Sequence, residues 1–147
     1  MAAATTSVTL VSPDRPQLAV GIRAFLVLAT LGAVAGASLV PSGQDAMSDP
    51  DLVRVIRAMA AIKGGLAALA FAACLLRLTR PAASWRTAAY VIGPPLMAAG
   101  AVALWRLDHL GAAAIALHVA LGAVIVAALT DDDFVILPAR RGRTGRS

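Results

Sequence analysis

Four apolar stretches dominate this sequence: Ala24–Val40, Ala58–Leu76, Ala88–Trp105 and Leu110–Thr130. Each approaches or exceeds the roughly 18 residues that read as a membrane crossing. This feature constrains the fold more than any other. Hydrocarbon offers the backbone no hydrogen bonds, so a crossing segment must satisfy its own N–H and C=O groups, and a helix does so within one segment. No alternating pattern is long enough to build a sheet. The expected fold is all-α: an integral membrane four-helix bundle of antiparallel up-down hairpins. The stretches fill about half of the 147 residues, which leaves no room for a soluble domain of ordinary size. Charged residues make up only 14% and Glu is missing entirely, where soluble domains carry about 25% charged residues.

Breaks and caps set the boundaries. A polar tail, residues 1–16, precedes a transmembrane domain over 17–133, and a basic tail follows over 134–147. Helix 1 is expected over about 17–40 and stops before "PSGQD", a cluster of loop formers. Helix 2, over about 50–77, starts at "SDPD". Asp49 caps the free N–H groups, Pro50 suits the first helical position, and Asp51 lies at the positive end of the helix dipole. Pro81 prevents further winding. Helix 3, over about 85–105, places Trp85 and Trp105 about 30 Å apart, the hydrocarbon thickness, with one indole at each interface. Its centre, "YVIGPPLM", holds Gly93, Pro94 and Pro95. Each proline lacks an N–H, so the carbonyls of Tyr90 and Val91 lose their helical donors and a kink is expected. The short "RLDH" turn forces helix 4, over about 108–130, into an antiparallel hairpin with helix 3. Arg23, "AFLVLATLGAV" and "AGAS" imitate the three parts of a signal peptide. The apolar run continues through Leu39 and Val40, so a retained first helix is the preferred reading.

The net charge of +5 would suggest nucleic acid in a soluble protein. Here the arginines cluster at the ends of the apolar runs, and no basic face is interleaved with aromatics, so nucleic-acid binding is not expected. Arg15, Arg23, Arg77, Arg80, Arg86, Arg140, Arg141, Arg143 and Arg146 fall on one side of an alternating topology. Arg54, Arg57 and Arg106 fall on the other. Positive residues favour the cytoplasm, so both termini are expected there, with the protein in a bacterial inner membrane.

Lys63 is the exception, since it sits inside an apolar run. Counting back from Leu76 places it roughly 9 Å deep. One reading has its stem snorkel to the nearer interface. The other has an intramembrane ammonium facing the protein interior. His118 and Thr30 fall at similar depths, so Lys63, His118 and Thr30 are the candidate ligand-binding residues of one polar layer. His118 shares a helix face with Gly111, Ile115 and Gly122, and small residues let another helix come close. That face is therefore expected to turn inward. Gly32 and Gly36 make a second packing face, inside the bundle or against a partner.

Chemistry-bearing motifs are sparse. His109 and His118 point to opposite sides of one helix, which rules out a bis-His haem between two helices. One cysteine, Cys74, and no Glu argue against a metal site. No acid lies within a span, where proton-coupled transporters place one. No catalytic residue and no cofactor is evident. The leading expectation is a non-enzymatic accessory or assembly subunit of a larger membrane complex, in contact with lipid and with other membrane subunits or itself. Two alternatives stay open. One is a protein that binds a quinone, lipid or small anion through the layer around Lys63 and His118. The other is a small homo-oligomeric transporter.

Overall fold

The computed structural model describes residues 15–40, 49–132 and 134. The expectations for the two tails and for the loop 41–48 fall largely outside them. The described residues form four helices and no strand: α1 (Arg15–Leu39), α2 (Pro50–Arg77), α3 (Ser84–Trp105) and α4 (Leu110–Leu129). All four are long and apolar enough to cross a membrane.

The start of α2 follows from its sequence. The Asp49 carboxylate accepts from the Asp51 N–H at 3.0 Å, and Pro50 occupies the first turn. α4 starts at Leu110, where the apolar run begins and two residues later than the expected bound of about 108. Asp108 is buried and accepts from Arg106 Nε at 3.1 Å. His109 takes a left-handed conformation at the cap, with φ 42°, and Leu107 before it has φ 65°. A turn this short reverses the chain only through such backbone, which non-glycine residues adopt rarely.

The bundle is organised around α3, which packs against each of the other helices and most extensively against α4. The helix runs unbroken through Pro94 and Pro95, and both prolines are buried together with Gly93. The packing seam has a period of seven. On α2 it holds Ala60, Ala67 and Cys74. On α4 it holds Ala113, Ala120 and Ala127, with Leu117 and Val124 beside them. On α3, Tyr90, Met97 and Leu104 fill the space, while Gly93 and Gly100 admit α4. A Cβ on Gly100 would lie 3.0 Å from the Ala113 carbonyl oxygen and 3.1 Å from Leu117 Cβ, and one on Gly93 would overlap Val124 Cγ2. Lipid tails are as apolar as side chains, so helices associate through this kind of close van der Waals contact. A seven-residue repeat keeps the seam together when the helices supercoil left-handedly.

By contrast α1 is peripheral. Leu26 is its one buried hydrophobic residue among those described. At its far end Arg106 holds it, donating through Nη1 to the Ser38 carbonyl and through Nη2 to that of Val40. The guanidinium thereby satisfies carbonyls at a helix C-terminus that lack donors of their own. Trp85 and Trp105 are about half exposed at opposite ends of α3. Arg86 lies 5.5 Å from the Trp85 ring centroid and Arg57 lies 5.9 Å from that of Trp105.

Candidate functional site

The structure brings Lys63 and His118 together. Lys63 Nζ lies 3.4 Å from His118 Nε2. The other ring nitrogen, Nδ1, lies 2.6 Å from the Ala114 carbonyl oxygen one turn earlier on α4. A carbonyl only accepts, so Nδ1 carries the proton and donates. Nε2 then presents its lone pair to the ammonium. The pair thus links α2 to α4 by a single Lys-to-His hydrogen bond. Its depth follows from Arg57, which sits at the level of Trp105. Lys63 is six residues further along α2, about 9 Å deeper. His118 is eight residues past Leu110, about 12 Å along α4.

The α4 face that carries His118 looks outward, whereas Lys63 shares its α2 face with buried Ala60 and Ala67. His118 is exposed and Lys63 is half-buried. Ile115 is 67% exposed, and nothing lies within 4 Å of a Cβ built on Gly111 or Gly122. The inward orientation expected for this face is therefore corrected. The alanine seam of α4 already occupies α3, and His118 falls outside that stripe. Gly32 and Gly36 are open in the same way, so among the described residues their face has no contact inside the bundle. The small residues that permit close helix contact are Gly93 and Gly100 instead. Gly93 was assigned only to the proline kink, and the seven-residue spacing of Gly93 and Gly100 is the signal that finds them.

Thr30 does not join the layer. Its hydroxyl donates to the Leu26 carbonyl at 2.8 Å, within α1. A hydroxyl satisfied by its own helix needs no partner across the bundle. Thr30 instead lines a cavity of about 300 Å³ between α1, α2 and α3, with Gly64, Ala67, Phe71 and Pro94 among its other walls. A larger groove of about 640 Å³ separates α1 from α3 towards the Arg77 end, with Gln17, Ser84 and Thr87 among its lining residues. A third, of about 290 Å³, lies between α1, α3 and α4 beside Asp108 and His109. All three border α1, and neither Lys63 nor His118 lines any of them.

A second polar cluster was not anticipated. At the opposite end of the bundle Asp131, just past α4, is buried. Its Oδ2 accepts from Arg77 Nε at 2.8 Å and from the Tyr90 hydroxyl at 3.0 Å, and its Oδ1 accepts from Arg77 Nη2 at 2.9 Å. Arg86 Nη1 stands 3.6 Å from Oδ1. Arg77 Nη1 also donates to the Arg80 carbonyl at 3.1 Å, where the chain leaves α2. Phe134 stacks on Tyr90 with ring centroids 5.6 Å apart and packs against the hydrophobic residues at this end of the bundle. One carboxylate thereby joins the ends of α2, α3 and α4. From sequence, Arg77 was one more flanking cation and Asp131 one of three consecutive Asp, so the pairing had no distinguishing mark.

The fold defines a four-helix integral membrane protein with a buried Arg77–Asp131 cluster at one helix end, where Arg86 Nε is left without a hydrogen-bond partner among the described residues, and a Lys63–His118 pair inside the spans. No protein-family model, curated protein or solved structure matches this chain.

Proposed function

We propose that this protein is a non-enzymatic accessory or assembly subunit of a larger membrane protein complex. It would reside in a bacterial inner membrane with both termini in the cytoplasm. One observation carries the reading: the Lys63–His118 pair lies within the spans, and the α4 face that carries His118 turns away from the protein's own core. An ionised side chain at the bilayer centre costs about 2.5–3.5 kcal/mol on insertion scales, and such residues almost always face protein or water. The pair lies short of the centre, so its cost is smaller but of the same kind. A face that carries this cost and leaves Gly111 and Gly122 open is suited to another membrane helix. The ligand-binding alternative has weaker support, because Thr30 lies apart from the pair and the pair borders none of the three cavities.

Purification from native membranes in a mild detergent tests the reading. Fixed protein partners at constant stoichiometry are expected. Recovery of the chain alone, or only with a retained quinone or lipid, overturns it. Reporter fusions at Ser42 and Ser147 test the orientation, with a cytoplasmic signal expected at Ser147 alone.

A further inference from the structure

We infer that the Lys63–His118 pair is a receptor for a carboxylate carried within the membrane by a transmembrane helix of a different protein. The inference rests on the subunit reading and adds the chemistry of the partner. The starting point is an incomplete hydrogen-bond set. Lys63 has three N–H donors. One goes to His118 Nε2, and among the described residues Lys63 has no other polar partner. His118 Nδ1 is committed to the Ala114 carbonyl, so the imidazole has no second lone pair to offer. Two ammonium N–H groups and one full positive charge remain for something outside the chain.

The occupant must therefore be an anion with acceptor oxygens, and it must reach 9–12 Å inside the level of Trp105. A lipid phosphate stays at the interface, and Lys63 would have to leave His118 to meet it. A quinone carbonyl accepts a hydrogen bond but leaves the charge uncompensated. A second copy of this chain offers no carboxylate at that depth. Glu is missing from the sequence, and all eight Asp fall at helix ends or beyond them. Of these, Asp108 is engaged by Arg106 and Asp131 by Arg77. A carboxylate on a foreign helix meets every requirement: its charge matches, its oxygens take both free N–H groups, and a helix delivers it to the required depth. The open glycines on the His118 face provide for the approach. Gly111 and Gly122 flank the pair along α4, each with nothing within 4 Å of an added Cβ. Small residues in these places let a foreign backbone come near enough for a short Asp or Glu side chain to reach Nζ.

The test uses the full chain in phosphatidylcholine nanodiscs and a synthetic Leu/Ala transmembrane peptide with one Glu placed about 10 Å from one end of its apolar span. An otherwise identical Gln peptide is the control. Association is read by energy transfer at pH 8. The Glu peptide is expected to bind at least about tenfold tighter than the Gln peptide, the scale of one charge-assisted contact. Lys63→Met should erase the preference and Lys63→Arg should restore part of it. Thermal unfolding of each variant shows that the fold survives. Equal binding of the two peptides, or a preference that persists in Lys63→Met, overturns the inference. So does a Lys63-dependent homo-oligomer, or a lipid or quinone that is retained by the wild type and lost from Lys63→Met. Native-membrane purification separates the two levels. A partner held equally by wild type and Lys63→Met removes the carboxylate inference and leaves the subunit reading standing. A chain recovered alone that still prefers the Glu peptide removes the subunit reading instead.

Discussion

Two ionic sites of this protein, Arg77–Asp131 and Lys63–His118, make a controlled comparison. Both place a cation from α2 against a group from α4 or just beyond it. At Arg77 the cation is finished within the chain. A bidentate carboxylate and the backbone carbonyls of Arg80 and Pro81 accept from it, the Tyr90 hydroxyl donates to the same carboxylate, and Phe134 stacks on Tyr90. At Lys63 the cation has one neutral acceptor and an open side. The difference shows how a membrane protein separates structural charge from interaction charge. Structural charge is paired and buried where chain ends can fold over it. Interaction charge is left short of partners on a surface that another helix can reach. A buried ion pair is weak grounds for claiming net stability, because desolvation offsets much of the attraction, but removing one member leaves a buried charge alone. The two sites should therefore respond to mutation in opposite ways.

The largest expected effect is at Asp131. Asp131→Asn leaves Arg77 buried without a counter-ion, and the isolated protein should lose about 3–5 kcal/mol in unfolding measurements. The double variant Arg77→Met, Asp131→Leu should lose less than Asp131→Asn, since the buried Arg77 charge is removed with its counter-ion and only the partly exposed Arg86 is left unpaired. If Asp131→Asn unfolds within about 1 kcal/mol of wild type, the cluster is not structural and the comparison fails.

Next comes the packing that separates inside from outside. Gly100→Val pushes side-chain atoms into Ala113 and Leu117, and overpacking of this kind typically costs about 1–3 kcal/mol. Gly111→Val faces open space on α4 and should change the stability of the isolated protein far less. Similar losses at the two positions would mean that the outward face of α4 is packed after all.

Lys63→Met should be smaller still in the isolated protein. Intramembrane hydrogen bonds contribute about 0.6 kcal/mol on average and under 2 at most, and the variant also removes an ammonium from hydrocarbon. Unchanged or slightly raised stability is expected, together with loss of partner binding. His118→Ala should weaken the same binding. The two changes combined should be non-additive, because both act through one hydrogen bond. Additive effects would return Lys63 to snorkelling. The smallest effect belongs to Gly32→Ala, which should stay within about 0.5 kcal/mol.

Sequence pattern carried the architecture a long way, because span length and capping are local properties. The run from Ala58 to Leu76 and the "SDPD" cap need no tertiary information. The meeting of Lys63 with His118 was legible from depth alone, since residues at one level of a bundle are candidates for contact. Depth says nothing about direction, and this is why it groups Thr30 with them; the inward expectation for the His118 face comes instead from Gly111 and Gly122, which permit close contact without saying with which helix. Direction is set by competition between faces. The alanines spaced by seven on α4 outcompete the glycines at 111 and 122 for α3, because the complementary glycines of α3 are at 93 and 100. The Arg77–Asp131 cluster was illegible for a different reason. It depends on how the chain folds just past two helix ends, where adjacent aspartates are equivalent in sequence and Asp131 turns inward while Asp132 stays exposed.

The peripheral position of α1 has a consequence for how the chain is made. Synthesis delivers α1 to the membrane before its only extensive neighbour, α3, has been translated. A helix that must wait among lipids has to be tolerable there alone, and α1 is both strongly apolar and the least buried of the four spans. For α3 the demands are reversed: it is the least apolar span and the most buried. Its double proline and its arginine-bearing start make it the poorest solitary lodger, and it enters with α4 close behind on a turn too short to delay it. Truncation after Arg106 should accordingly reduce membrane insertion of α3 in a glycosylation-mapping assay, while α1 inserts whether or not any later helix is present.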